Sequence, residues 1–223
     1  MKTTLSNDAL AVYLGRQLSN FFPDREVAAG ELKPFVDAAL ERLALCFAGI
    51  SDKYLPAGRE QQFNHRHTDH YAMFLYLVAN TTRKMQGNME LADKAYALNK
   101  ALHAIDAYHE VELPEVFFFQ HPLGTVLGRA HYGNYFMVYQ RCSVGAKDQV
   151  YPTIGEGVVM FGGSAIIGDC TIGNNVWLSS GTTVLGQDVP DDSVVFGQSP
   201  NIAIKPTQRN IVRDLFNHPS GRR

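Results

Sequence analysis

Eight histidines and three cysteines are the side chains best suited to chemistry in this chain. Three histidines crowd the stretch "NHRHTDH", where His65, His67 and His70 surround Asp69. Imidazole and carboxylate are metal-ligand types, but this spacing matches no standard zinc pattern, and Asp69 at a helix start can serve as a cap. His121, in "FFQHPLGTVLG", and His131 stand apart from that group. Imidazole titrates near neutral pH, so such a residue can take a proton from a hydroxyl. It can equally be a hydrogen-bonded surface histidine, and position alone leaves both readings open. Cys46, Cys142 and Cys170 are odd in number, widely spaced and outside any CxxC. That pattern predicts buried thiols in a reducing compartment, not a disulfide framework or a zinc knuckle.

The 223 residues carry a net charge of −2 and no long basic run, which argues against a nucleic-acid partner. No apolar run reaches the length of a membrane span. The start, "MKTTLSNDALAVYLGRQLSN", reads as an amphipathic helix and not as a signal peptide, so a cytoplasmic location is expected. The aromatic clusters "FFF" at 117–119 and "YGNYFMVY" at 132–139 read as packing residues.

Two periods divide the chain. Residues 6–110 are helical in pattern and predict about four helices. The first is capped by Ser6 or Asn7 and turns Leu10, Tyr13, Leu14, Leu18 and Phe21 to one face. The second aligns Phe35, Ala39, Leu43 and Phe47. The third begins near Thr68 or Asp69 and carries Tyr71, Phe74, Leu75 and Val78. The fourth carries Leu91, Ala95, Leu98, Ala101, Leu102 and Ile105.

From about residue 112 the interval becomes six. Ile154, Met160, Ile166, Ile172, Leu178 and Val184 form one set, and Val158, Ser164, Cys170, Val176, Thr182 and Asp188 a second, four positions later. Upstream, Val126, Tyr132, Val138 and Val144 keep the interval, and the ten-residue step from Val144 to Ile154 marks "AKDQ" as an inserted loop. Six fits neither 3.6 nor simple alternation. It fits a short strand plus a turn, three to a triangular coil, with the coils stacked on a continuous aliphatic column. Gly155, Gly168, Gly173, Asn174 and Asn175 supply corners. The expected fold class is α+β: an N-terminal α-helical domain over 1–110, a parallel β-helix of roughly five coils over 111–205, and a tail over 206–223.

The segments "LHAIDAYHE", "QHPLGTVLG", "YPTIGEGVVMFGGSAIIG" and "VPDDSVVFGQSPNIAIK" resemble the serine acetyltransferase branch of the hexapeptide-repeat acyltransferases over about 95–205. The resemblance implies a left-handed coil and acyl transfer from acetyl-CoA to a hydroxyl, with no metal. It implies that His121 is the general base and that an acidic residue upstream orients it. An ungapped match puts Asp106 there, with Glu112 as the alternative. It implies coenzyme A contacts at Gly145, Ala146, Gly163, Ser164, Gly181 and Lys205, and a homotrimer that can pair into a hexamer.

The chain departs from that pattern at the acceptor. Gln120 stands where the serine enzymes carry an acidic residue, and Val150 and Tyr151 stand where they carry Arg-His. A zwitterion needs charged partners at both ends. Gln120, Asn134, Tyr139 and Tyr151 suit a neutral polyol, so a sugar of a surface polysaccharide is the expected acceptor, with serine as the alternative. The tail "HPSGRR" lacks the terminal isoleucine by which the serine enzymes dock a sulfhydrylase. A β-helical carbonic anhydrase would need three coil histidines, and none lies between His131 and His218. A non-catalytic trimeric scaffold is the reading of another class.

Overall fold

A computed structural model describes residues 1–51 and 62–217, so "HPSGRR" lies outside the described residues. Four helices open the chain: α1 (Asn7–Phe21), α2 (Ala29–Ala48), α3 (Thr68–Lys84) and α4 (Met89–His103). The Ser6 hydroxyl caps α1 by accepting from Ala9 N, which resolves the choice between Ser6 and Asn7. Leu10, Leu14 and Leu18 are buried as the periodicity requires, but Phe21 is exposed at the helix end. Helix α3 is buried on every side from Asp69 to Thr82, because it packs against α2, α4 and the strand Phe117–Phe119. Its surroundings are protein all round, so no polar face is needed.

Three sheets then wind into a parallel prism. The first holds Phe117–Phe119, Phe136–Val138, Val158–Met160, Val176–Leu178 and Ser193–Phe196 in parallel, closed by the antiparallel Ala203–Pro206. The second holds Asp106–Ala107, Val126–Leu127, Ser143–Gly145, Ala165–Ile167 and Thr183–Leu185. The third holds His131–Tyr132, Thr153–Ile154 and Thr171–Ile172. This makes about five turns, and its first strand, Asp106–Ala107, already precedes residue 111.

Both six-residue sets turn inward, from Ile154 to Val184 and from Val158 to Thr182. Two members do not follow. Val126 is 44% exposed, and its neighbour Leu127 takes the inner place, in register with Val144. Asp188 is exposed and Val189 fills the column instead. At both ends of the repeat the coil length shifts by one, which moves the side chain to the other face. Gly155 shows why small corners recur: a Cβ there would lie 2.7 Å from the Gly173 carbonyl. "AKDQ" is the inserted turn, with Lys147 bridging Val150.

Beyond the last coil a short helix, α5 (Ile211–Leu215), returns across the outside of the first sheet. Ile211 N donates to Asn175 Oδ1, and Phe216 bridges Ile50 at the end of α2. The tail therefore ties the β-helix to the helical domain. Among the described residues, no helix is long and apolar enough to cross a membrane.

Candidate active site

The corner after Phe117–Phe119 differs from the corners stacked on it. Phe119 pairs with Val138 and Val126 with Ser143. The chain thus takes seven steps from Phe119 to Val126 where the next coil takes five from Val138 to Ser143. Two extra residues must bulge outward there, and His121 lies in that bulge. Its side chain is 67% exposed and its φ is +51°, a left-handed conformation uncommon outside glycine. Leu123 beside it is the most exposed large apolar residue among the described residues, at 61%.

The carboxylate next to His121 comes from the helical domain. Asp69, in the first turn of α3 and 3% exposed, accepts from the His121 backbone N–H at 3.2 Å. The same oxygen, Oδ2, lies 3.4 Å from ring Nδ1. On the other side of the ring, Gln120 Nε2 is 2.8 Å from His121 Nε2. An amide nitrogen only donates, so this network assigns the bare lone pair to Nε2 and the proton to Nδ1. Thr68, Asp69, Leu102, His103, Pro122 and Leu123 line a cavity of about 130 Å³ beside the bulge. Burial pushes the His103 imidazole down to about 4, and its Nδ1 lies 2.8 Å from Asn99 Oδ1.

The two carboxylates expected to orient the base are engaged by other partners. Asp106 accepts from Tyr96 OH at 2.8 Å and from Lys100 Nζ at 2.6 Å. Glu112 pairs with Lys84 at 2.5 Å. All three of these partners are in the helical domain. Asp69 had registered in the sequence only as a cap or a metal ligand, because 52 positions separate it from His121 and no spacing rule connects them.

The remaining candidates divide between corners. Gly124, Arg141, Gly163 and Gly181 stack on the His121 corner, each N–H donating to the coil before it. Gly163 and Gly181 have φ of +77° and +73°, and a Cβ at Gly181 would meet nothing within 4 Å. Tyr139 stands in register one coil from Gln120 and stacks on Phe161 at 5.1 Å. Ser164 is fully buried; its N–H donates to Phe161 O, its carbonyl accepts from Ser143 N, and its hydroxyl turns inward to Cys142 Sγ at 3.6 Å. Asn134 is at another corner, where its Oδ1 accepts from Val116 N. Gly145, Ala146 and Tyr151 flank the inserted turn at the corner between the second and third sheets. Lys205 lies on the antiparallel strand, its Nζ 5.7 Å from the Phe196 ring centre. In the "NHRHTDH" stretch, His65 bonds Thr4 and His67 stacks on His70.

Fold and corner together define a helical domain followed by a parallel β-helix of hexapeptide repeats. No family model matches the chain. It is 31% identical to a serine acetyltransferase of Synechococcus elongatus over 105 residues, 45% of this chain and 43% of that one. It is 33% identical to the Bacillus subtilis serine acetyltransferase over 107 residues, 46% and 48% of the two chains. The match thus spans about half the length of these curated relatives. The crystal structure of serine acetyltransferase from Vibrio cholerae superposes with a TM-score of 0.71 at 20% identity, covering 91% of this chain and 80% of that one. A serine acetyltransferase complex with CoA gives 0.65 at 17% identity, covering 89% and 84%. The chain is thus similar in sequence to serine acetyltransferases over about half of its length, and in fold over nearly all of it.

Proposed function

We propose that the protein is an acetyl-CoA-dependent O-acetyltransferase with His121 as general base. The observation that carries this reading is the two-residue bulge, which lifts one imidazole out of an otherwise uniform corner and sets it beside Gln120 and Asp69. A hydroxyl displaces the Gln120 amide from Nε2 and gives its proton to that nitrogen as its oxygen attacks the thioester carbonyl. The C–S bond then breaks, and the leaving thiolate takes the proton back. The stacked glycines Gly163 and Gly181 offer the narrow part of coenzyme A a path along the same edge.

Serine is the acceptor this reading favours. The curated relatives are serine acetyltransferases by name, and nothing among them supports the polysaccharide sugar expected from the sequence. The replacements at Gln120, Val150 and Tyr151 favour a second reading, a hydroxyl acceptor without a free carboxylate. The decisive experiment follows free thiol released from acetyl-CoA with L-serine, amino alcohols and sugars. Turnover lost in His121→Asn supports the assignment. Absence of turnover with every acceptor, together with no coenzyme A binding by calorimetry, returns the protein to the scaffold reading.

A homotrimer belongs to the same proposal. The outer face of the second sheet presents Val126, Ser143, Gly145, Ala165, Ile167, Thr183 and Leu185, with the charged Asp106 at the end of the row. Such a face beside the His121 corner suits contact with a second copy. Light scattering on the eluting protein tests it, a monomeric mass being the contrary result.

A further inference from the structure

We propose that Asp69 is the positioning residue for His121, so that the helical domain supplies part of the site. This rests on the reading of His121 as the base. Four observations converge on it. First, Asp69 is almost wholly buried, and a buried carboxylate is costly unless partnered. Its Oδ2 meets His121 twice, at the backbone N–H and near Nδ1. Second, His121 holds a left-handed backbone, which costs a non-glycine residue about 1–3 kcal/mol and persists only where its surroundings enforce it. The bond from its N–H to Asp69 is such a constraint. Third, Gln120 donates to Nε2, which agrees with a proton held on Nδ1 opposite the carboxylate. Fourth, Asp106 and Glu112 are engaged by Tyr96, Lys100 and Lys84.

Asp69 therefore sets three things at once: the corner conformation, the ring orientation and the tautomer. It touches neither acceptor nor donor in this role. The other titratable groups at the corner are His103 of α4, kept neutral by burial, and Arg141, whose side chain packs beneath Gly124. Neither can replace a carboxylate at Nδ1.

The test reads the imidazole directly and needs no substrate. In the full chain with ¹⁵N-labelled histidine, the ring shifts of His121 above its titration midpoint should report the Nδ1–H tautomer. The Nε2–H tautomer, the ordinary one for free imidazole, would overturn the proposal without any variant. In folded Asp69→Asn and Asp69→Ser, loss of the anionic acceptor beside Nδ1 should move the neutral His121 ring towards the Nε2–H tautomer. An unchanged tautomer in both folded variants overturns it.

In the thiol-release assay, Asp69→Asn should reduce kcat by about tenfold or more with the KM for acetyl-CoA preserved, and Asp69→Glu should restore part of the loss. The double variant Asp69→Asn/His121→Asn should be no slower than His121→Asn alone, whereas additive losses would place Asp69 in a separate structural role. If the wild type shows no turnover, the base assignment falls, while the ring measurements still decide whether Asp69 positions His121.

Discussion

The guanidinium carbon of Arg209 lies 4.5 Å from the centre of the Trp177 ring. This contact pins the returning tail to the outer face of the first sheet. Asn175 reinforces it by donating to Arg209 O and accepting from Ile211 N. Trp177 is the chain's one tryptophan and is itself 6% exposed.

Arg209→Ala should therefore cost about 0.5–2 kcal/mol of stability. The emission of Trp177 should shift to the red as the tail lifts from the sheet. Unchanged emission and an unchanged denaturation midpoint would show that the tail is held by α5 alone.

His121→Asn should abolish most turnover, by about 10²–10⁴-fold, while changing stability by no more than about 0.5 kcal/mol. Asparagine tolerates the left-handed backbone that the bulge requires, and the ring it replaces is mostly exposed. Steady-state kinetics beside a thermal melt separates the two effects.

Gly181→Asn should leave the fold nearly intact, since asparagine accepts the positive φ and a Cβ there meets no neighbour. A side chain on the proposed coenzyme A path should raise the KM for acetyl-CoA several-fold. An unaltered KM would remove the glycine stack from the donor site.

Gln120→Asp should favour serine over neutral hydroxyl acceptors by tenfold or more, since a charge-assisted hydrogen bond to the ammonium contributes about 1.5–3 kcal/mol. The ratio of kcat/KM for serine to that for an uncharged alcohol is the measurement. No change in that ratio would place the ammonium pocket elsewhere.

Stability should fall in acid before the carboxylates titrate. Burial pushes His70 down to about 4, assisted by His67, and burial alone does the same to His103. Both are depressed below the unfolded value of roughly 6.5. The unfolded chain thus binds more protons between those limits, and folding free energy declines as pH drops from about 6.5 towards 4. The loss is on the order of a few kcal/mol, read from urea midpoints against pH. His103→Gln should flatten the slope.

Much of the architecture was legible because it is written in local periods. An interval of six cannot be satisfied by a helix or by plain alternation, so the residues from Ile154 to Val184 announce the prism. The amphipathic stretches likewise announce four helices. Where the repeat frays, at Val126 and Asp188, the interval misassigned the inner side chain, because a single-residue change in coil length reverses which face a residue takes. At the proposed site, the motif singled out His121, whereas nothing in the sequence linked Asp69 to it.

The amino-acid order by itself determined the helical half, the stacked coils and the imidazole on one of them, since each depends on neighbours within a few positions. Only the tertiary structure decided which acid meets that imidazole, that Asp106 is occupied by Tyr96 and Lys100, and that the tail crosses back to α2. Those are contacts between distant segments. They arise from how the helices pack against the coils, a packing result that no spacing along the chain encodes.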